Sequence, residues 1–230
     1  MNNITEKLIN EFLEAESEKY QFDFCAVDMG KIEDGIEAGE ISLPSILSEA
    51  EIEYLEKLKL LKNKIQWISG RCSVKSALFR YKFKNQVLMD LTCIDVLKGA
   101  DSAPYFLQYP DLNISITHSY QYCIGMVCPG KIGVDIEKIF QPREALISRY
   151  FSHGEKEILA RIKDPLEHST QATVYWTRKE AVSKLLRLGM KMNFREVDTS
   201  EDEVYLPEVN NTVKLVSCVC GDFCLSIAVE

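Results

Sequence analysis

Apolar and polar residues follow two different periods along this chain, and the places where the period changes predict its elements. Ile4, Leu8, Ile9, Phe12 and Leu13 recur at helical spacing, which predicts a short helix packed on the body or docked as an arm. Residues 22–29 alternate, with aromatic and β-branched side chains, as a strand does. A polar loop with Gly35, Gly39 and Pro44 comes next. Ser48 with Glu51 then forms a capping box ahead of a helix reaching about Leu58, and a second helix covers about Asn63 to Tyr81. Leu91 to Val96 reads as strand and Gly99 to Tyr105 as loop. Asn113 to Val127 reads as a strand pair turning at Tyr120-Gln121.

The pattern then repeats its order. Residues 132–139 are a strand, Pro142-Arg143-Glu144 opens a helix, and Ser152 with Glu155 boxes the start of another. Lys163 to Ser169 reads as a plain loop, and a long helix runs from about Gln171 to Leu188, closed by Gly189. Strands at Val204–Leu206, Val213–Cys220 and Phe223–Val229 end the chain, the last two joined by a Gly221-Asp222 turn. Strands and helices in this order predict an α+β fold of two similar subdomains, 1–114 and 115–230, each a small mostly antiparallel sheet packed with helices.

Two runs carry candidate chemistry. In Ile132-Gly133-Val134-Asp135-Ile136-Glu137-Lys138-Ile139, Asp135 and Glu137 are two apart and share one face of the strand. That face is either the solvated side of a half-exposed strand or a cation site. In Trp176-Thr177-Arg178-Lys179-Glu180-Ala181-Val182-Ser183-Lys184, Glu180 lies beside Lys179 and one turn before Lys184. Three carboxylates without Cys or His are an oxygen-donor set, which suits Mg²⁺ holding a phosphorylated substrate. Crowded carboxylates would otherwise repel one another and raise a pKa. Arg71 and Lys75, one turn apart on the second helix, are either a solvated basic face or a grip on a dianionic phosphate. His118 is either a hydrogen-bonded structural residue or a phosphate donor.

Composition narrows the classes. A chain of 230 residues with 46% hydrophobic content can bury a substantial core. A net charge of -8 and pI near 5.1 disfavour a nucleic-acid binder. No run of about 18 apolar residues predicts a membrane span. Eight cysteines without a signal-peptide pattern predict reduced thiols and a cytoplasmic protein. Cys218, Cys220 and Cys224 follow strand alternation and not the spacing of a zinc knuckle.

Gly133-Val134-Asp135-Ile136-Glu137-Lys138, followed by Trp176-Thr177-Arg178-Lys179-Glu180-Ala181 and Lys184, resembles the paired signature of the Sfp-type 4′-phosphopantetheinyl transferases. Ser115-Ile116-Thr117-His118-Ser119, Arg149-Tyr150-Phe151-Ser152 with Glu155, and Gly70-Arg71 with Lys75 and Ala77-Leu78 resemble further segments of that family. The likeness runs from about Leu47 to Phe194. One departure stands out: where the family pattern has Gly-Lys-Pro, this chain has Ser102-Ala103-Pro104, so a lysine expected near the phosphates is missing.

The resemblance implies a two-halved, single-chain, monomeric enzyme with coenzyme A in the cleft between the halves. Asp135, Glu137 and Glu180 would hold Mg²⁺. Arg71, Lys75, Thr117, His118, Lys179 and Lys184 would bind coenzyme A, with Arg71 and Lys75 on its 3′-phosphate. Glu180 would take the proton of a carrier-protein serine, and Lys184 would assist the departing 3′,5′-ADP. The partner would be an apo acyl or peptidyl carrier domain of fatty-acid, polyketide or nonribosomal peptide synthesis, with no nucleic acid and no membrane involved. A Mg²⁺-dependent phosphodiesterase or nuclease, and an inactive carrier-protein binder, are the rival readings.

Overall fold

A computed structural model describes residues 2–83, 90–207 and 209–230. In chain order the elements are α1 (Asn2–Tyr20), β1 (Asp23–Asp28), α2 (Met29–Glu37), α3 (Glu49–Lys57), α4 (Leu61–Phe83), β2 (Val96–Lys98), β3 (Pro104–Phe106), β4 (Asn113–Ser119) and β5 (Tyr122–Cys128). They continue as β6 (Ile132–Lys138), α5 (Glu144–Tyr150), α6 (His153–Arg161), α7 (Pro165–Leu185), β7 (Glu203–Leu206), β8 (Asn211–Cys220) and β9 (Phe223–Val229). The chain divides into two compact units: an amino-terminal unit, Asn10–Gly130, and a carboxy-terminal unit, Lys131–Glu230, which also takes the first residues through Ile9. No helix among the described residues is long and apolar enough to cross a membrane.

The amino-terminal unit is an antiparallel sheet of order β1-β5-β4, with a separate β2-β3 hairpin. Its core is built from Val74, Ala77 and Leu78 of α4 against Ile94, Val96, Phe106, Ile114 and Val127. The division expected near residue 114 falls inside β4. It comes instead after Gly130, because the β4-β5 hairpin completes the sheet begun by β1.

In the carboxy-terminal unit the antiparallel sheet has the order β6-β9-β8-β7, and α7 lies on it. Ala181, Val182 and Leu185 of α7 pack with Leu215 and Ala228 of the sheet. A Cβ on Gly133 would come within 1.9 Å of the Ala181 carbonyl oxygen, so only glycine lets β6 and α7 approach this closely.

Both capping boxes form. Ser48 heads α3 and Ser152 heads α6, each hydroxyl accepting from the backbone of the glutamate three residues on and each glutamate returning the contact. Other elements depart from the sequence reading. A helix, α2, occupies the expected polar loop, because the Asp28 carboxylate caps it by accepting from Gly30 N at 2.8 Å. Leu91–Cys93 is a 3-10 turn, so the strand there begins later, at Val96. Pro104–Phe106, which overlaps the expected loop, is strand β3. Helix α7 starts early, at Pro165, since Asp164 accepts from Glu167 N at 2.8 Å and proline suits the first position. It ends at Leu185, followed by Arg187 in the left-handed region at φ 58°, and Gly189 opens a 3-10 turn.

Candidate active site

Gly133 faces α7, and residues two apart on a strand share a face, so Asp135 and Glu137 face α7 as well. Asp135 is only 5% exposed and Glu137 is half-buried, while Val134 and Ile136 on the opposite face are fully buried. Strand β6 is therefore covered on both sides through Ile136, and the half-solvated alternative does not apply to Asp135. From α7, Lys184 Nζ donates to Asp135 Oδ1 at 2.7 Å and to the Val134 carbonyl at 3.0 Å. Helical spacing places Glu180 one turn before it.

Glu180 is the electrostatic centre of the group. Burial, then the neighbouring charge of Asp135, push its carboxyl up from 4.5 to about 7; Lys184 pulls it down and Glu137 adds to the rise. The three carboxylates and Lys184 thus share one field. Among the described residues, however, no three His, Cys, Asp or Glu side chains converge into a ready metal-ligand set. Asp135 Oδ1 is engaged by Lys184 at 2.7 Å. In chemical type the donors fit a hard cation, whose charge would offset both the burial and the neighbouring carboxylates that raise Glu180.

A polar track lies beneath the helix. Ser226 pairs in register with Asp135, and its hydroxyl lies 2.7 Å from Thr177 Oγ1 and 2.9 Å from Ser217 Oγ. Arg178 Nε donates to Ser217 Oγ at 2.9 Å, and the same guanidinium holds the Thr199 and Glu201 carbonyls and Asp202. Sequence reasoning missed this support. Its signal was a serine inside the otherwise apolar Phe223–Val229, where every position is buried. The amino-terminal unit has a simpler counterpart, Ser73 Oγ at 3.7 Å from Cys123 Sγ, with Val27 opposite Cys123 in register.

Lys179 does not reach toward phosphates. It is fully buried, and its ammonium contacts Glu155 Oε2 at 3.0 Å, the Phe194 carbonyl at 2.7 Å and the Val197 carbonyl. Three N–H donors meet three acceptors, so the expected role as a phosphate ligand has no donor left to serve it. Lys75 is fixed in the same way, on Glu51 Oε2 at 2.5 Å and on the Ile46 and Leu91 carbonyls at 2.9 and 3.0 Å. It too is fully buried, which removes it from a phosphate grip. The cause is common to both: a capping-box glutamate buried beside a helix requires a counter-charge.

Arg71 and His118 do come together, at a cleft of about 640 Å³ within the amino-terminal unit that Lys98, Tyr54 and Trp67 also line. Arg71 NH2 donates to the Val96 carbonyl at 3.0 Å, and its guanidinium carbon sits 4.2 Å from the Trp67 ring centroid. Trp67 in turn stacks on Tyr54 with centroids 5.4 Å apart. Burial draws the Arg71 pKa downward, with Glu51 opposing. His118 is exposed, whereas Thr117 is 3% exposed and does not line the cleft.

Residues 131–228 match the profile of the family described as the 4′-phosphopantetheinyl transferase superfamily. A 4′-phosphopantetheinyl transferase of Bacillus pumilus is 31% identical over 88 residues, which is 38% of this chain and 37% of that protein. This chain thus spans little more than a third of the length of the curated relative it matches. Among solved structures, a holo-(acyl-carrier-protein) synthase from Bacillus anthracis in complex with CoA (3′,5′-ADP) is similar over 46% of this chain and 91% of that one, with 19% identity and a TM-score of 0.40. The Helicobacter pylori holo-[acyl-carrier-protein] synthase in complex with coenzyme A covers 46% of this chain and 96% of its own, with 20% identity and a TM-score of 0.37. The stretch with Asp135, Glu137, Glu180 and Lys184 lies wholly inside the part of the chain, residues 131–228, that is similar to the 4′-phosphopantetheinyl transferase superfamily.

Proposed function

We propose that this protein transfers the 4′-phosphopantetheine group of coenzyme A to a serine of an acyl or peptidyl carrier domain, with Mg²⁺ held by Asp135, Glu137 and Glu180. The observation that carries this reading is one cluster: Lys184 on Asp135 at 2.7 Å, with Glu180 raised to about 7 first by burial and then by Asp135 and Glu137. A nucleotide-binding role for the Arg71 and His118 cleft agrees with it.

A bound cation would hold Glu180 in its ionised form, beside the phosphates, so Glu180 is the group to take the proton of the serine hydroxyl. As the serine oxygen bonds to the β-phosphorus, the bond from that phosphorus to the bridging oxygen breaks, and 3′,5′-ADP leaves with the electron pair. Lys184 gives two of its three N–H groups to Val134 and Asp135, and the third is available to a phosphate oxygen of the leaving group. Magnesium, when bound, neutralises charge on the phosphate oxygens. Lys179 acts by holding its turn of α7 and not by touching substrate.

The test is incubation with coenzyme A, Mg²⁺ and several apo carrier proteins, followed by mass measurement of each carrier. A gain of one phosphopantetheine that disappears on omitting coenzyme A supports the reading. Unchanged carriers with folded protein overturn it. Cleavage of DNA or RNA with Mg²⁺ would favour the phosphodiesterase reading instead.

A further inference from the structure

The amino-terminal cleft contains a cation that neither the sequence pattern nor the comparisons assign. Lys98 ends β2 and stands directly opposite Pro104 of β3, and side chains directly opposite in an antiparallel pair share a face. Lys98, Pro104, Arg71 and His118 all line the same cleft. The hairpin is held by Gly99 N donating to the Ala103 carbonyl and Ser102 N to the Gly99 carbonyl, both at 2.9 Å. Lys98 is exposed, and among the described residues it makes no ion pair. Its strand is also the one that positions Arg71, through the Val96 carbonyl two residues earlier.

Arg71 has donors to spare. A guanidinium carries five N–H groups, and among the described residues one hydrogen bond, to Val96, is made. Its buried Nε has no hydrogen-bond partner; the nearest carboxylate oxygen, Glu51 Oε1, is 3.9 Å away and is occupied by Val96 N at 3.1 Å. A terminal phosphate is a dianion with three acceptor oxygens and calls for more than one cation. Lys75, the residue that spacing along α4 nominates as the second one, is buried on Glu51.

We propose that Lys98 is the second phosphate-gripping cation of this cleft, binding with Arg71 and His118 the 3′-phosphate of a nucleotide. The β2-β3 hairpin thereby supplies the charge that Lys75 cannot and that Ala103 lacks. The proposal rests on the coenzyme A reading.

Equilibrium titration of coenzyme A and of dephospho-coenzyme A, which lacks the 3′-phosphate, tests it in the wild type, Lys98→Gln, Lys98→Arg and Lys214→Gln. The expected result is a loss of about tenfold or more in coenzyme A affinity for Lys98→Gln, with dephospho-coenzyme A binding unchanged, as befits one charge-assisted hydrogen bond. Lys98→Arg retains most of the affinity, and Lys214→Gln behaves as wild type. Equal coenzyme A affinity in Lys98→Gln and wild type, or an equal loss for both ligands, overturns the role of Lys98 while leaving the coenzyme A reading standing. A wild-type protein that binds neither ligand overturns both.

Discussion

Glu155 and Lys179 meet at 3.0 Å with both side chains fully buried, and Glu51 and Lys75 repeat the contact in the amino-terminal unit at the same spacing of 24 residues. Each glutamate also receives a backbone N–H from the segment after its long helix, Thr199 N at 2.8 Å and Val96 N at 3.1 Å. Each pair therefore fastens a capping box, a long helix and a following segment at one point. Buried ions are tolerated when every donor and acceptor is matched, as here.

Removing one partner of such a pair strands the other in the interior. Lys179→Met is expected to destabilise the protein by about 3 to 5 kcal/mol in urea unfolding. Lys75→Met should do the same through Glu51. Unaltered stability together with a raised KM for coenzyme A would return Lys179 to the phosphates.

Glu180 gives a pH signature opposite to that of an ordinary salt-bridged acid. Its carboxyl ionises near 4.5 when unperturbed and near 7 in the folded protein, so between these values the native state holds the extra proton. Stability conferred by wild-type Glu180 thus declines as pH rises from 4.5 through about 7, then levels off. Glu180→Gln removes that decline. Relative to wild type it should gain on the order of 1 to 3 kcal/mol at about pH 8, and that gain should vanish below about pH 4. Denaturation curves at several pH values decide the matter.

Magnesium should act on the same group from the other side. A divalent ion among the three carboxylates favours the ionised form of Glu180, so binding releases a proton and raises the melting temperature above neutral pH. The rise should be lost in Asp135→Asn and on adding a chelator. A melting temperature indifferent to Mg²⁺ in the wild type would count against the cation site.

Gly133→Ala tests how closely strand and helix are fitted. The new methyl would collide with the Ala181 carbonyl, which is backbone and cannot swing aside. The expected cost is about 3 kcal/mol or more, read by chemical denaturation, with loss of the proposed transfer as α7 is displaced from β6.

Legibility in the sequence followed the range of the forces involved. Local signals such as the Ser48 and Ser152 boxes and the strand alternation around Asp135 depend on neighbours a few residues away, and they were readable. Helix α2 was not, because its glycines conceal a cap that resides on the strand before it. The proximity of Glu180 to Asp135 and Glu137 could be anticipated from like-typed residues on two elements. The fate of Lys75 and Lys179 could not, since whether a lysine on a helix meets solvent or a buried glutamate depends on contacts 24 residues away. Lys98 escaped notice because it belongs to a three-residue strand that forms only by pairing with Pro104–Phe106.

The repeated clamp also separates fastening from chemistry in the two units. Nothing in it calls for an acid at the strand position that Asp135 holds in one unit and Val27 in the other, as their register to Ser226 and Cys123 indicates. A frame whose fastening is separate from its candidate reactive groups can carry an acid in one unit and none in the other and remain rigid. Mutational drift at such positions would show itself in turnover and leave expression and solubility intact.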